Sequence, residues 1–249
     1  MPSLPVERQG QGEPFVWLHG FTQTRHSAQN FLSIVAGSHE VLSMDLPGHG
    51  EAADVQADLV ETASLVADSL PVEQIVLGGY SMGGRVALHV ALAFPYRINK
   101  LVLLGATRGI ASPSQQRQRR EEDELRADRI ATVGVEAFLD EWLAGPLFAT
   151  LPHDPNERAR RSRDATGLAS SLRLCGTGTQ RFLGEDMERL TMPVLLIAGA
   201  LDEKFAGEAI DMALSLPDAT VALIPDAGHA AHLEQPDAVA AVVNEFLAK

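Results

Sequence analysis

Six short apolar runs punctuate this chain: Phe15–Leu18, Val41–Met44, Ile75–Leu77, Leu101–Leu104, Val194–Ala198 and Thr220–Ile224. Each is too short for a buried helix. Each is largely apolar at successive rather than alternate positions, so a strand built from it is expected to be covered on both faces. Longer amphipathic stretches separate the runs, near 27–36, 54–69, 84–94, 206–215 and 236–247. Buried strands alternating with helices predict an α/β fold with a mostly parallel central sheet flanked by helices.

One connection breaks the rhythm. Between Gly105 and Pro193 no run reads as a buried strand, whereas ordinary strand–helix connections run to ~2–6 residues. The segment has helical patterning at 114–131, 135–143 and 155–173. It is expected to be a helical cap inserted between two strands. The expected division is therefore 1–107 as the first part of the core, 108–189 as the cap and 190–249 as the second part. Sites in open parallel sheets form beyond the carboxyl ends of the strands, so such an insertion would roof the site. Ten of the 17 arginines fall between Arg108 and Arg163, mixed with acidic residues, and most are expected on a solvated, ion-paired surface.

A formal net charge of −13 argues against a nucleic-acid partner. No stretch offers ~18 uninterrupted apolar residues, so no membrane span is expected. The N-terminal MPSLPVERQGQGEPF lacks the pattern of a secretory signal. The single cysteine, Cys175, cannot form an intrachain disulfide, which fits a reducing, cytoplasmic setting.

Gly79-Tyr80-Ser81-Met82-Gly83 matches G-x-S-x-G between a strand and a helix. Such a turn forces the serine into a strained, exposed conformation and aims helix N-terminal N–H groups where negative charge develops. Asp202 follows the fifth run and His229 the sixth, giving the chain order Ser, Asp, His. A base must contact the serine, and an acid must fix the base's tautomer. Asp202 also reads as a helix N-cap and His229 as a turn residue. The loop His19-Gly20-Phe21 can present the Phe21 N–H beside that of Met82 as an oxyanion hole. No metal site is expected: His229 and His232 are three apart beside a glycine turn, and His232 reads as a supporting or surface residue. Gly176-Thr177-Gly178 lacks the rest of a dinucleotide fingerprint. The turn DLPGHG (45–50) is assigned no chemistry.

The motifs HGF, DLPGHG, GYSMGG, an acid after a strand and GH near the C-terminus resemble the α/β-hydrolase family over essentially the whole chain. Within it, GYSMGGRVAL, FLDEWLAGPLF (138–148), LRLCGTGTQ (172–180), GALDEKF (199–205) and AGHAAHLE (227–234) are similar to the 2-succinyl-6-hydroxy-2,4-cyclohexadiene-1-carboxylate synthase family of menaquinone biosynthesis. That resemblance implies an α/β-hydrolase fold and a lyase that expels pyruvate from a cyclohexene with three carboxylates. It implies no cofactor, a small polyanionic substrate as partner, and the triad serine acting as a base. It implies substrate contacts from Arg85, Arg119, Tyr80, Trp142 and a second cap arginine, among Arg160, Arg161 and Arg163. Glu51 departs from the small polar residue frequent after GHG. A cation in the first turn of a helix opposes the helix dipole at ~0.3–1 kcal/mol, and an anionic substrate would give Arg85 its reason. Two other readings stand beside this one. One is a serine hydrolase of a small ester, thioester or carbon–carbon substrate. The other is a ligand-binding protein that kept the fold.

Overall fold

The computed structural model describes residues 3–70 and 74–249. Met1 and Pro2, part of the N-terminal stretch read above, lie outside the described residues. In chain order the elements are β1 (Val6–Gln9), β2 (Pro14–Leu18), α1 (Gln29–Val35), β3 (Glu40–Met44), α2 (Leu59–Ser69), β4 (Ile75–Tyr80), α3 (Met82–Ala93) and β5 (Ile98–Leu104). There follow α4 (Pro113–Leu143), α5 (Pro155–Ala159), α6 (Ala165–Cys175), β6 (Val194–Gly199), α7 (Glu203–Ala213), β7 (Ala219–Ile224), α8 (Ala231–Glu234) and α9 (Pro236–Leu247).

Among the described residues the strands form one seven-stranded sheet in the order β1-β3-β2-β4-β5-β6-β7. Among the described residues only β1 runs antiparallel, against β3. The sequence pattern misses β1 because VERQ is short, polar and on the sheet's edge, where no second face needs covering. All six apolar runs are strands, but β7 is an edge of the sheet and only partly buried, with Leu223 exposed, so its apolar run is not covered on both faces. The chain steps to one side from β2 to β3 and to the other from β2 to β4. The carboxyl ends of β2 and β4 therefore lie side by side at the point where the order reverses, which is where a crevice opens.

Alternation within the strands divides the core. Val16 and Leu18 face α2 and α3 with Leu77, Leu101, Val66 and Val86, all buried. Phe15 and Trp17 face the other way, toward Phe31 and Leu32 of α1 and Val239 and Val243 of α9. Each large side chain so buried contributes roughly 1.5–3 kcal/mol.

Between β5 and β6, α4 packs on α6 through a separate cluster that includes Ala127, Ile130, Phe138, Leu139, Leu168 and Leu172. Gly134, at φ 78° and ψ 166°, breaks α4 into two arms, which match the helical stretches expected on either side of residue 134. The stretch expected over 155–173 is divided too: Asp164 accepts a hydrogen bond from the Gly167 N–H and starts α6 anew. No helix among the described residues is long and apolar enough to cross a membrane.

Candidate active site

The turn from β4 into α3 puts Ser81 at φ 51° and ψ −107°, a conformation a non-glycine residue holds only under constraint. The constraint is close packing. A Cβ on Gly79 would lie 2.4 Å from the Gly83 carbonyl oxygen, and one on Gly83 would lie 2.1 Å from that of Leu18. Glycine at both positions lets α3 press onto the ends of β2 and β4. The Ser81 backbone N–H donates to the Leu104 carbonyl, tying the turn to β5.

His229, between β7 and α8, meets this serine from the side. Its Nε2 lies 3.0 Å from Ser81 Oγ, and its Nδ1 lies 2.7 Å from Asp202 Oδ2. The carboxylate oxygen can only accept, so Nδ1 carries the proton and Nε2 is left to accept from the serine hydroxyl. Asp202 also caps α7, its Oδ1 accepting from the Phe205 N–H at 3.3 Å. One side chain thus both caps the helix and contacts His229. The imidazole is buried, with Phe205 and Tyr80 rings centred 4.4 and 5.3 Å away. This arrangement can move the Ser81 proton to His229 while Asp202 steadies the resulting positive ring.

The loop after β2 lies against Ser81. Neither the Phe21 nor the Met82 backbone N–H makes a hydrogen bond among the described residues. Two histidines hold this loop. His19 donates from Nδ1 to the Gly20 carbonyl and accepts the Leu46 N–H at Nε2. His49 donates to the Pro47 carbonyl and accepts the Thr22 N–H. Burial keeps both rings neutral, pushing His19 below its ordinary value and His49 down to about 3. The DLPGHG turn thus supports the loop, a role the sequence did not reveal. Thr22 sits at φ 69°, unusual for a β-branched residue. The inserted segment helps hold it there: the Ser162 N–H donates to the Thr22 carbonyl at 2.8 Å, and Arg161 Nη1 donates to Thr22 Oγ1 at 2.6 Å.

A cavity of about 110 Å³ opens in front of Ser81. Ser81, His229, Phe21, Met82, Arg85, Arg119 and Trp142 all line it, so the structure brings together these residues singled out in the sequence. Thr107, Leu147, Cys175, Lys204 and Phe205 line it as well, and no sequence pattern marks them as cavity residues. No Asp or Glu among the described residues lines it. Arg85 is buried in the first turn of α3, and its guanidinium has one long hydrogen bond, 3.4 Å to Gln180 Oε1. No carboxylate among the described residues lies within ion-pair distance of it. Desolvation pushes Arg85 down to about 10, Cys175 and Asp123 pull it back upward, and Arg119 lowers it further. Arg119 is steadied by Asp123, 2.8 Å from its Nε.

The remaining expected residues lie elsewhere. Tyr80 is buried beneath the loop, 4.3 Å ring to ring from His232, and its hydroxyl has no partner among the described residues. His232 is fully buried, not a surface residue, and burial pushes it down to about 3. Arg161 is buried against Thr22 and Glu157, outside the cavity lining. Burial lowers its proton affinity, while the Glu157 charge opposes the shift. Arg160 lines two other clefts and offers its carbonyl to Thr24 Oγ1. Arg163 is exposed and pairs with Glu136. Among the described residues no group of three or more His, Cys, Asp or Glu is placed to hold a metal ion.

A Bacillus subtilis protein provisionally named 2-succinyl-6-hydroxy-2,4-cyclohexadiene-1-carboxylate synthase is 36% identical to this chain, over 97% of this chain and 92% of its own. A Photorhabdus laumondii protein named as the same synthase is 34% identical, over 93% of this chain and 84% of its own. The structure of MenH from S. aureus superposes with a TM-score of 0.91 at 31% identity, covering 98% of this chain and 97% of the other. The model of the alpha/beta hydrolase family matches residues 15–242. With its mostly parallel sheet, its serine turn and these relatives, the chain belongs to the alpha/beta hydrolase family.

Proposed function

We propose that this protein is a carbon–oxygen lyase, a 2-succinyl-6-hydroxy-2,4-cyclohexadiene-1-carboxylate synthase that eliminates pyruvate from 2-succinyl-5-enolpyruvyl-6-hydroxy-3-cyclohexene-1-carboxylate in menaquinone biosynthesis. The observation that carries the reading is Arg85, a buried cation with no carboxylate partner among the described residues, lining the cavity of Ser81 and His229. An apolar ester gains nothing from that charge. A carboxylate of the substrate would give it the partner that the protein withholds.

In this reading Ser81, His229 and Asp202 form the catalytic triad. Ser81 gives its proton to His229 Nε2 and takes one from the carbon beside the succinyl ketone. Negative charge moves to the ketone oxygen, where the N–H groups of Phe21 and Met82 form the oxyanion hole. The electron pair then forms a double bond to the neighbouring ring carbon, the ring double bond already present shifts along by one position, and the C–O bond to the pyruvyl group breaks with its pair on oxygen. Arg85 and Arg119 bind carboxylates, and Trp142 walls the ring. Tyr80 and Arg161 support the loop that carries Phe21. The substrate is too large for 110 Å³, since ligand pockets usually span ~300–1,000 Å³. The proposal therefore includes movement of the inserted segment, with 108–189 as a cap over a core of 1–107 and 190–249. A cytoplasmic setting belongs to the same proposal, supported by the lone thiol of Cys175.

The test supplies freshly made substrate and follows pyruvate, with spontaneous elimination subtracted. Rapid release that vanishes in Ser81→Ala, while substrate binding survives, is the expected result. No release above background, with turnover of simple aryl esters, would replace the lyase by a serine hydrolase. Neither activity, and no reaction of the folded protein with a fluorophosphonate, would point to a binding protein.

A further inference from the structure

The resemblance implies a second cap arginine facing the substrate, yet Arg160, Arg161 and Arg163 all lie outside the cavity lining. The cavity nevertheless presents three cations, and the third is Lys204. We infer that Lys204 binds the carboxylate of the departing pyruvyl group, an inference that rests on the lyase reading.

Lys204 stands at the second position of α7, two residues after Asp202. A cation there opposes the helix dipole, the same disadvantage that Arg85 bears. It makes no ion pair among the described residues, in a chain with 33 acidic side chains. Its ammonium lies 5.3 Å from the centre of the Phe205 ring, and that ring is 4.4 Å from the ring of His229. The positive charge is therefore held on the base's side of the cavity.

Burial separates the roles of the cations. Arg85 is enclosed, whereas Lys204 is exposed. The retained part of the substrate suits the enclosed guanidinium, which binds in a fixed geometry. The fragment that must leave suits an exposed, hydrated ammonium on a flexible stem. As the C–O bond breaks, the pyruvyl oxygen takes the bonding pair and the fragment departs as an enolate beside its own carboxylate. It then takes up one proton at its methylene carbon, balancing the proton removed from the ring. A fixed positive charge at that carboxylate offsets the second negative charge as it develops.

The experiment compares two ligands by quenching of Trp142 fluorescence, in a Ser81→Ala background that prevents turnover. One is the tricarboxylate substrate. The other is 4-(2-carboxyphenyl)-4-oxobutanoate, which keeps the ring carboxylate and succinyl chain but has no pyruvyl ether. Lys204→Met should weaken the tricarboxylate at least tenfold and leave the dicarboxylate within twofold, and Lys204→Arg should restore most of the loss. Equal weakening of both ligands would assign Lys204 to a retained carboxylate and overturn the inference. Weakening of neither would make it a surface lysine and overturn it too, with the lyase reading intact. If the Ser81→Ala protein binds neither ligand and the native protein releases no pyruvate, the lyase reading falls and takes the inference with it.

Discussion

Replacing Arg85 by methionine should make the protein more stable and less active. Burial pushes Arg85 well below the ordinary arginine value, to about 10. At ~1.36 kcal/mol per tenfold change in proton affinity, holding that charge in the folded protein costs about 3 kcal/mol at neutral pH. Against this, Arg85→Met loses a hydrogen bond that is already long and leaves Gln180 Oε1 short of a donor, a loss of about 1 kcal/mol. The aliphatic stem is replaced by one of similar length, so little packing is lost. The balance favours the variant by about 2 kcal/mol. For a chain of this size that is a rise in Tm of about 4–8 °C. The same substitution removes charge-assisted hydrogen bonds to substrate worth ~1.5–3 kcal/mol, so kcat/KM for pyruvate release should fall about 10- to 150-fold. Calorimetry of the ligand-free proteins and a coupled pyruvate assay measure both quantities. A fall in Tm would refute the reasoning, because it would mean that Arg85 serves the fold. Unchanged kinetics would refute its role toward the substrate.

Acid should destabilise the protein through its buried histidines. His49 and His232 are held neutral down to about 3, whereas in the unfolded chain they take up protons near 6.5. Above pH 6.5 neither state binds the proton and they leave stability unchanged. Between 6.5 and about 3 the unfolded state binds more protons, so each histidine lowers stability by ~1.36 kcal/mol per pH unit. Urea unfolding at pH 7.5 and 5.5 should show the drop, and His232→Phe should make it smaller by about 1 kcal/mol; equal stability at the two pH values would contradict this. Gly83→Ala should lose more than about 3 kcal/mol, because its Cβ would sit 2.1 Å from the Leu18 carbonyl oxygen. A melting temperature within a few degrees of the native protein would show that the turn can relax.

The strands at the centre of the sheet were legible because covering both faces demands continuous apolar residues. β1 and the start of β5 escaped because VERQ and Asn99-Lys100 are polar and only partly covered. Ser81, Asp202 and His229 were legible because strand ends and chain order constrain them. The parts of the site that depend on the inserted segment were less so. The sequence marks where arginines are concentrated, but whether Arg161 points at the cavity or at Thr22 is decided by how α5 and α6 pack. Lys204 was hidden for a different reason: nothing in GALDEKF separates a cation facing a cavity from one facing water. His49 was hidden because its partner, the Thr22 N–H, is 27 residues away in sequence and meets it only when β2 and β3 pair.

Three hydrogen bonds join residues 160–162 to the loop after β2: Thr24 Oγ1 to the Arg160 carbonyl, Arg161 to Thr22 Oγ1, and the Ser162 N–H to the Thr22 carbonyl. Residues 160–162 and the loop that carries the Phe21 N–H are therefore one mechanical piece on this side. The seam bears on the site through Thr22, whose positive φ it helps to hold one residue from Phe21. A substitution at Ser162 or Thr24, neither of which lines the cavity, would then act on the site by loosening this seam.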